Sequence, residues 1–323
     1  MARNAALVTG GNSGIGFECA RQLARQGWQV IIASRNRELS SEAVRRIAAE
    51  SGPEAIATMD LDLASPASVR QLAGELAARE LPLRALVCNA GVQVTKGPRL
   101  TPDGYELTFA VNHLGHFLLA NLLLGRLLAN APARLVVVSS GVHDPRRTTG
   151  MPKPAFSDMA TLAATGGARR DRFSGGLAYV NSKLCNLWFT YELVRRLEAS
   201  GLSQGGRRLT VNAFDPGLVP GSGLAREYAA PLRFFWERVL PGLARVLTPV
   251  VPSINPADKA GGALARLVLD PGLERVSGKY FPSHTRWRED PSSAASYDLE
   301  RARALWEESV RMARLIRGES PLA

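Results

Sequence analysis

The stretch that most constrains this chain is its beginning. An apolar run, Ala5-Ala-Leu-Val-Thr9, passes without a spacer into Gly10-Gly-Asn12-Ser13-Gly14-Ile15-Gly16 and then into a helical pattern reaching Gln26. A short continuous apolar run bounded by turn residues reads as a buried strand. The glycines let the backbone turn and approach a ligand with no Cβ in the way. The helix that follows offers unpaired N–H groups and the positive end of its dipole. Strand, glycine loop and helix in that order form a cradle for a phosphate.

The alternation continues along the chain. Residues 28–33, 56–63, 84–88, 134–140, 208–214 and 278–281 read as further strands. Residues 39–50, 69–78, 105–128 (one bent helix or two consecutive ones), the segment around Tyr179, 258–269 and 299–316 read as helices. Strands alternating with helices predict an α/β fold with a doubly wound parallel sheet covered on both faces. Ligands of such sheets bind outside the carboxyl ends of the strands. Asn89-Ala90-Gly91, Ser140 and the glycine loop all fall there. With 323 residues and no repeat, low-complexity linker or boundary, the expectation is one domain over 1–323.

The second strand ends in Ser34-Arg35-Asn36-Arg37, with no carboxylate before Glu38. A carboxylate there would accept a hydrogen bond from a ribose 2′-hydroxyl, whereas Arg35, with Ser13 opposite, suits a 2′-phosphate. The expected cofactor is therefore NADP(H) rather than NAD(H). Asp62 has two readings, a partner of the adenine amino group or part of a helix N-cap region before Ser65.

Tyr179 and Lys183 stand at i and i+4 of a segment whose Leu184, Leu187, Trp188, Tyr191 and Val194 recur at helical spacing. Their side chains therefore project from one face. A free tyrosine titrates near ~10, and a cation about 4 Å away favours the phenolate by up to about 4 kcal/mol at an effective dielectric near 20. That moves a phenol toward the range a general acid–base needs.

Composition removes other classes. The net charge of +11 comes from arginines scattered in ones and twos along helices, so they read as solvated faces and no nucleic-acid partner is expected. Cys19, Cys88 and Cys185 are odd in number, and neither they nor His113, His116, His143 and His284 have metal-ligand spacing. The expectation is a reduced cytoplasmic protein with no metal. The N-terminus does not read as a signal peptide, and no apolar run is expected to span a membrane. The leucine-rich 117–128, interrupted by Asn121 and Arg126, reads as a buried or interface helix.

Two segments stay irregular or ambiguous. Residues 141–178, with Pro145, Pro152 and Pro154, are too long for a turn and read as an inserted lobe or lid beside the site. Residues 228–251 carry Leu232, Phe235, Trp236, Val239, Leu240, Leu243 and Leu247 at helical spacing, with a break at Pro241. Three readings are open: a core helix pair, an apolar flap over a bulky substrate, or a patch resting on a membrane surface.

Taken in order, Thr9-Gly10-x-x-x-Gly14-Ile-Gly16, Asn89-Ala-Gly91, Asn112, Ser140 and Tyr179-x-x-x-Lys183 resemble the short-chain dehydrogenase/reductase family over nearly the whole chain. The resemblance implies a Rossmann-like sheet of about seven strands, often assembled as homodimers or homotetramers. It implies a catalytic set of Asn112, Ser140, Tyr179 and Lys183, with Ser139 as the fallback serine. Ser140 would orient the substrate oxygen and Tyr179 would exchange its proton. Lys183 would bind the nicotinamide ribose, and Asn112 would hold a relay water. The implied cofactor contacts are Gly10, Asn12, Ser13, Gly14, Ile15, Gly16, Arg35, Asp62, Leu63, Asn89, Ala90, Gly91, Tyr179, Lys183, Pro216, Gly217 and Val219.

Within the family, Asp103-Gly-Tyr-Glu-Leu, Asn112-His-Leu-Gly-His-Phe and Ser182-Lys-Leu-Cys185-Asn186 are similar to retinol-dehydrogenase-like enzymes and light-dependent protochlorophyllide reductases. Cys185 stands where the pigment reductase carries an active-site cysteine, and equally where a buried helix cysteine would. Gly221 replaces the hydroxyl residue usual after Pro-Gly, with Ser222 next, and the glycine loop has the general family form. The resemblance implies an NADP(H)-dependent carbonyl reductase or alcohol dehydrogenase for a bulky hydrophobic substrate. The alternatives are a C=C reductase of a tetrapyrrole-like molecule and a non-catalytic cofactor-binding scaffold, against which the intact Tyr/Lys/Ser/Asn set argues.

Overall fold

The computed structural model describes residues 3–167, 173–204, 208–223, 227, 230–248, 251 and 253–322. Seven parallel strands form one sheet in the order β3-β2-β1-β4-β5-β6-β7. They are β1 (Ala5–Thr9), β2 (Gln29–Ser34), β3 (Ile56–Asp60), β4 (Leu83–Cys88), β5 (Ala133–Val138), β6 (Leu209–Asp215) and β7 (Tyr280–Pro282). This is the Rossmann-like α/β architecture expected from the sequence. Strand order reverses between β1 and β4, so the connections leave in opposite directions there and open a crevice.

The sheet divides the core in two because successive side chains on a strand face opposite ways. Ala6, Val8, Val30 and Ile32 pack under α1 (Gly14–Arg25), α2 (Arg37–Ser51) and α10 (Ala257–Leu269). Leu7, Ile31, Leu86 and Leu135 pack under α3 (Pro66–Ala77), α5 (Gly115–Ala129) and α7 (Gly175–Ala199). All five residues of β1 are fully buried, which is why its sequence is a continuous apolar run rather than an alternation.

The 105–128 pattern folds as one bent helix. A short α4 (Leu107–Phe109) runs through a π turn (Ala110–Leu114) into α5. By length and composition this helix could cross a membrane, but 89% of its most apolar window is buried inside the fold, in keeping with the buried-helix reading of 117–128. Its outer side is covered by α11 (Leu299–Met312): Trp306 meets Phe117 edge-on at 4.9 Å, and Ser309 Oγ bonds His113 Nε2 at 2.9 Å.

Several boundaries shift in ways that matter for the site. β3 and β5 end before Asp62 and Ser140, so both residues sit in loops at the carboxyl edge of the sheet. The 141–178 lobe contains α6 (Met159–Thr165) and is tied to α7, because Asn181 Nδ2 donates to the carbonyls of Ala155 and Gly166 (both 2.8 Å).

Within 228–251, Tyr228 lies outside the described residues. The remainder forms α8 (Ala230–Phe234), a π turn (Phe235–Val239) and α9 (Leu240–Leu247). Pro241, in the first turn of α9, does not interrupt the run: the preceding π turn leaves the Trp236 carbonyl to accept from Gly221 N (3.0 Å) in place of the N–H that proline lacks. The core-helix reading is overturned. Leu232, Phe234, Phe235, Val239, Leu243 and Val246 are exposed, Val246 at 72%.

Candidate active site

A cleft of about 990 Å³ runs along the carboxyl edge of the sheet. All the sequence-predicted cofactor residues line it, from Gly10, Asn12, Ser13, Gly14, Ile15 and Gly16 through Arg35, Asp62, Leu63, Asn89, Ala90 and Gly91 to Pro216, Gly217 and Val219. Ser140, Tyr179 and Lys183 line the same cleft.

At one end is the glycine cradle. A Cβ on Gly16 would stand 2.5 Å from the Gly10 carbonyl and 2.4 Å from Asn89 Nδ2, so only glycine allows this loop to close under the α1 N-terminus. Thr9 locks the cradle to the next loop, its Oγ1 accepting from the N–H groups of Asn89 (2.9 Å) and Ala90 (3.0 Å). Ser13 is the N-cap of α1 but makes no capping bond with its side chain, leaving the helix end available to a ligand.

Next to it, Arg35 Nη1 lies 3.7 Å from Asp62 Oδ1, both side chains partly exposed. Asp62 Oδ1 also accepts from Ala64 N (3.0 Å), and Ser65 caps α3. The N-cap-region reading of Asp62 is thus what its own bonds describe, although it does face the cleft.

At the other end the predicted catalytic residues gather. Tyr179 and Lys183 project together from α7, Nζ lying 5.5 Å from the centre of the phenol ring. Lys183 is 3% exposed, and its Nζ donates to the Val138 carbonyl (3.1 Å) at the end of β5. Burial pulls its ammonium down to about 8, against the opposing attraction of Asp215.

The two adjacent serines both line the cleft but differ in bonding and burial. Ser139 Oγ donates to the Lys183 carbonyl (2.8 Å) and is buried, so it braces α7. Ser140 is the partly exposed one of the two. Its carbonyl accepts from His143 Nδ1 (2.6 Å), which fixes the start of the lobe.

The Asn112 side chain is fully engaged with its neighbours. Its Oδ1 accepts from Val92 N (2.8 Å), and its Nδ2 donates to Val92 O and Ser182 Oγ (both 3.0 Å), so the side chain holds neighbours in place and does not line the cleft. A relay water would have to use its carbonyl, which sits in the π turn. That carbonyl accepts from His116 Nδ1 (3.1 Å) and retains a second lone pair. His116 Nε2 pairs with Thr9 Oγ1 (2.9 Å), linking the π turn to the cradle. Burial pushes His116 down to about 4, so it is neutral in this role.

Cys185 is fully buried, and burial raises its thiol well above the ordinary range. The structural reading holds, and the thiol has no access to the cleft. The three cysteines are all free and buried, and among the described residues no group of His, Cys, Asp or Glu could hold a metal ion.

Sequence reasoning missed several residues that the fold delivers here. Asp215, at the end of β6, is 1% exposed. It accepts from Gly217 N at Oδ1 (2.8 Å) and from Tyr280 Oη (3.1 Å) and Arg147 Nη1 (3.4 Å) at Oδ2. Arg147, from the lobe, also contacts His284, whose Nε2 lies 3.3 Å from Asp290 Oδ2. Trp236 turns from the exposed helix into the cleft, its Nε1 donating to Ser222 O (3.1 Å). Among the described residues of 230–248 only Trp236 lines the cleft, as a flap requires, while the exposed apolar residues are what a surface patch requires. The available clue was position: Asp215, Ser283 and His284 end or follow parallel strands on their ligand-binding edge.

The residues present fit a nicotinamide dinucleotide. The glycine loop closes on itself beneath an α1 N-terminus that carries no side-chain cap, and one hydroxyl, Ser283 Oγ, is buried beside the cleft with no partner among the described residues. The chemistry the arrangement can perform is proton exchange at a phenol beside a buried ammonium and a serine hydroxyl.

Comparison with known proteins agrees with this geometry. The short chain dehydrogenase family model matches residues 4–150. The chain is 37% identical over 306 residues to the WW domain-containing oxidoreductase of Homo sapiens, spanning 95% of this chain and 67% of that protein. It is 36% identical over 326 residues to retinol dehydrogenase 14 of Mus musculus, spanning 96% and 86%. A short chain dehydrogenase from Shigella flexneri, solved in complex with NADP, superposes with a TM-score of 0.62 at 21% identity over 88% of this chain and 98% of its own.

Proposed function

The chain belongs to the short-chain dehydrogenase family, and from that premise we propose that it is an NADP(H)-dependent carbonyl reductase or alcohol dehydrogenase acting on a bulky apolar substrate. The observation that carries the reading is the convergence of Tyr179, Lys183 and Ser140 at one end of a cleft whose other end is the glycine cradle.

When bound, the nicotinamide supplies or accepts the hydride. The chain's own residues do the rest. Ser140 Oγ orients the carbonyl oxygen, and the Tyr179 hydroxyl gives up its proton to it in reduction or takes one in oxidation. Lys183 Nζ holds a positive charge beside the phenol and would donate to the nicotinamide ribose. In this reading the Asn112 carbonyl, through its second lone pair, would hold a water of the proton relay.

The preference for NADP(H) rests on Arg35. A partly exposed ion pair such as Arg35–Asp62 contributes only about 0–1 kcal/mol, so the guanidinium readily exchanges it for a 2′-phosphate carrying roughly −1.5 to −2 charges. The NADP-bound structural relative supports this reading. Val142, Met151, Leu218, Val219 and Trp236 give the catalytic end an apolar wall, which suits a bulky apolar alcohol or carbonyl, as the resemblance to a retinol dehydrogenase does.

Arg35→Asp tests the cofactor reading. The ratio of kcat/KM with NADPH to that with NADH is expected to fall about 10–100-fold, the worth of one charge-assisted contact and its repulsive replacement. An unchanged ratio would remove Arg35 as the selector.

A further inference from the structure

We infer that Ser283 is the residue that holds the carboxamide of the nicotinamide ring, and so fixes which way the ring lies against Tyr179. The inference rests on the cofactor reading above and adds a residue that neither the motifs nor the family pattern places in the site.

Ser283 follows β7, far in sequence from every recognised motif. The β6–β7 register pairs Asp215 with Pro282, so the next residue on the β7 side comes beside the Pro216–Val219 loop. Ser283 is 2% exposed and lines the cleft, and its Oγ is within 2.5 Å of where a Cβ on Gly217 would stand. Gly217 has φ +74°, so the chain keeps a residue there that leaves room for the hydroxyl.

Several polar groups of this wall already have partners. Gly217 N donates to Asp215 Oδ1 (2.8 Å), and Leu218 N donates to Ser253 O (2.6 Å). The Pro216 carbonyl accepts from Asn255 Nδ2 (3.0 Å), and Ser222 O accepts from Trp236 Nε1 (3.1 Å). Among the side chains of this wall, Ser283 Oγ is a buried hydroxyl with no partner among the described residues, and the Val219 N–H is a main-chain donor on the same wall. A buried hydroxyl without a partner destabilises the free protein and awaits an atom that a ligand can bring.

The cofactor reading supplies such an atom. With a pyrophosphate at the glycine cradle and a ribose at Lys183, the group that reaches the Pro216–Val219 wall is the nicotinamide. Its carboxamide carries both an acceptor oxygen and donor N–H groups, and a hydroxyl can serve either. Gly221 leaves this loop without the side-chain hydroxyl at that position, and Ser283 supplies one from the adjacent strand.

The test compares Ser283→Ala with the wild type in two binding titrations, one with NADP+ and one with 2′,5′-ADP, which lacks the nicotinamide half. NADP+ is expected to bind Ser283→Ala about 5–20-fold more weakly, while 2′,5′-ADP binds both proteins within about twofold. Thermal unfolding supplies a second signature. Removing a partnerless hydroxyl leaves the ligand-free Tm unchanged or higher, while the Tm gain from saturating NADP+ shrinks. Equal NADP+ affinities for the two proteins overturn the role of Ser283 alone. An equal loss for NADP+ and 2′,5′-ADP overturns it too, since the effect is then one of folding. A wild type that binds neither probe overturns this inference and the cofactor reading together.

Discussion

Lys183 carries the sharpest consequence of any single residue. Its ammonium is buried, with a pKa near 8 in the free protein instead of 10.5. Below pH 8 it is charged in the folded state, and above that it is not. The kcat/KM for NADPH, which reports the free enzyme, is therefore expected to fall as pH rises through about 8. A flat profile from pH 7 to 10 would contradict this. The stability effect runs the other way. Between pH 8 and 10.5 the unfolded chain binds a proton that the folded one refuses, so this group's contribution to stability rises with pH across that window. At pH 7, Lys183→Met should then be inactive and more stable by up to about 3 kcal/mol. The Val138 carbonyl it abandons still accepts from Asn186 Nδ2 at 3.0 Å. Urea unfolding checks this, and a destabilised variant would be the contrary result. The pairing of Tyr179 with Lys183 was legible from sequence because it is local, one helical turn. Asp215 and Ser283 were not, because strand register alone brings them to the same place.

Among the elements, the helix at 230–247 shows what periodicity can and cannot say. Its repeat of apolar residues predicted a helix with one greasy face, and such a helix is there. Periodicity gives no indication of what that face meets, which is why three readings stood open. In the structure most of the apolar face is exposed and Trp236 is the side chain that turns into the cleft. It is anchored at both ends of its residue, by Nε1 to Ser222 O and by its own carbonyl accepting from Gly221 N at 3.0 Å. Trp236→Ala is expected to raise KM for bulky apolar carbonyl compounds about 5–20-fold while changing kcat little, the loss of one aromatic contact surface. Small aldehydes should be affected far less. An equal effect on large and small substrates, measured in initial-rate assays, would count against a substrate flap. The π turn at Asn112 was likewise beyond the sequence pattern, which showed a bend or a break within 105–128 but not that a buried His116 would hold the freed carbonyl.

At the scale of the molecule, alternation of strands and helices was enough to predict a parallel sheet, and the glycine loop enough to say where its ligand edge begins. Both follow from local rules that tertiary context does not overturn in this chain. What sequence could not supply was the joining of distant segments at that edge. The lobe contributes Arg147, the end of β6 contributes Asp215 and the turn after β7 contributes Ser283 and His284. The C-terminal helix α11 covers the apolar outer side of α5 and α7, through Trp306 against Phe117 and Phe189, so the helices that hold Asn112 and Tyr179 are fixed from both sides. The whole fold therefore serves to keep one phenol and one ammonium facing a dinucleotide cleft. The most direct test of that claim is Tyr179→Phe, assayed for NADPH binding by titration and for hydride transfer to an apolar carbonyl compound by NADPH absorbance. The expected result is an unchanged NADPH affinity, within about twofold, and a turnover reduced by about 10²–10⁴-fold. Turnover at the wild-type rate would contradict it.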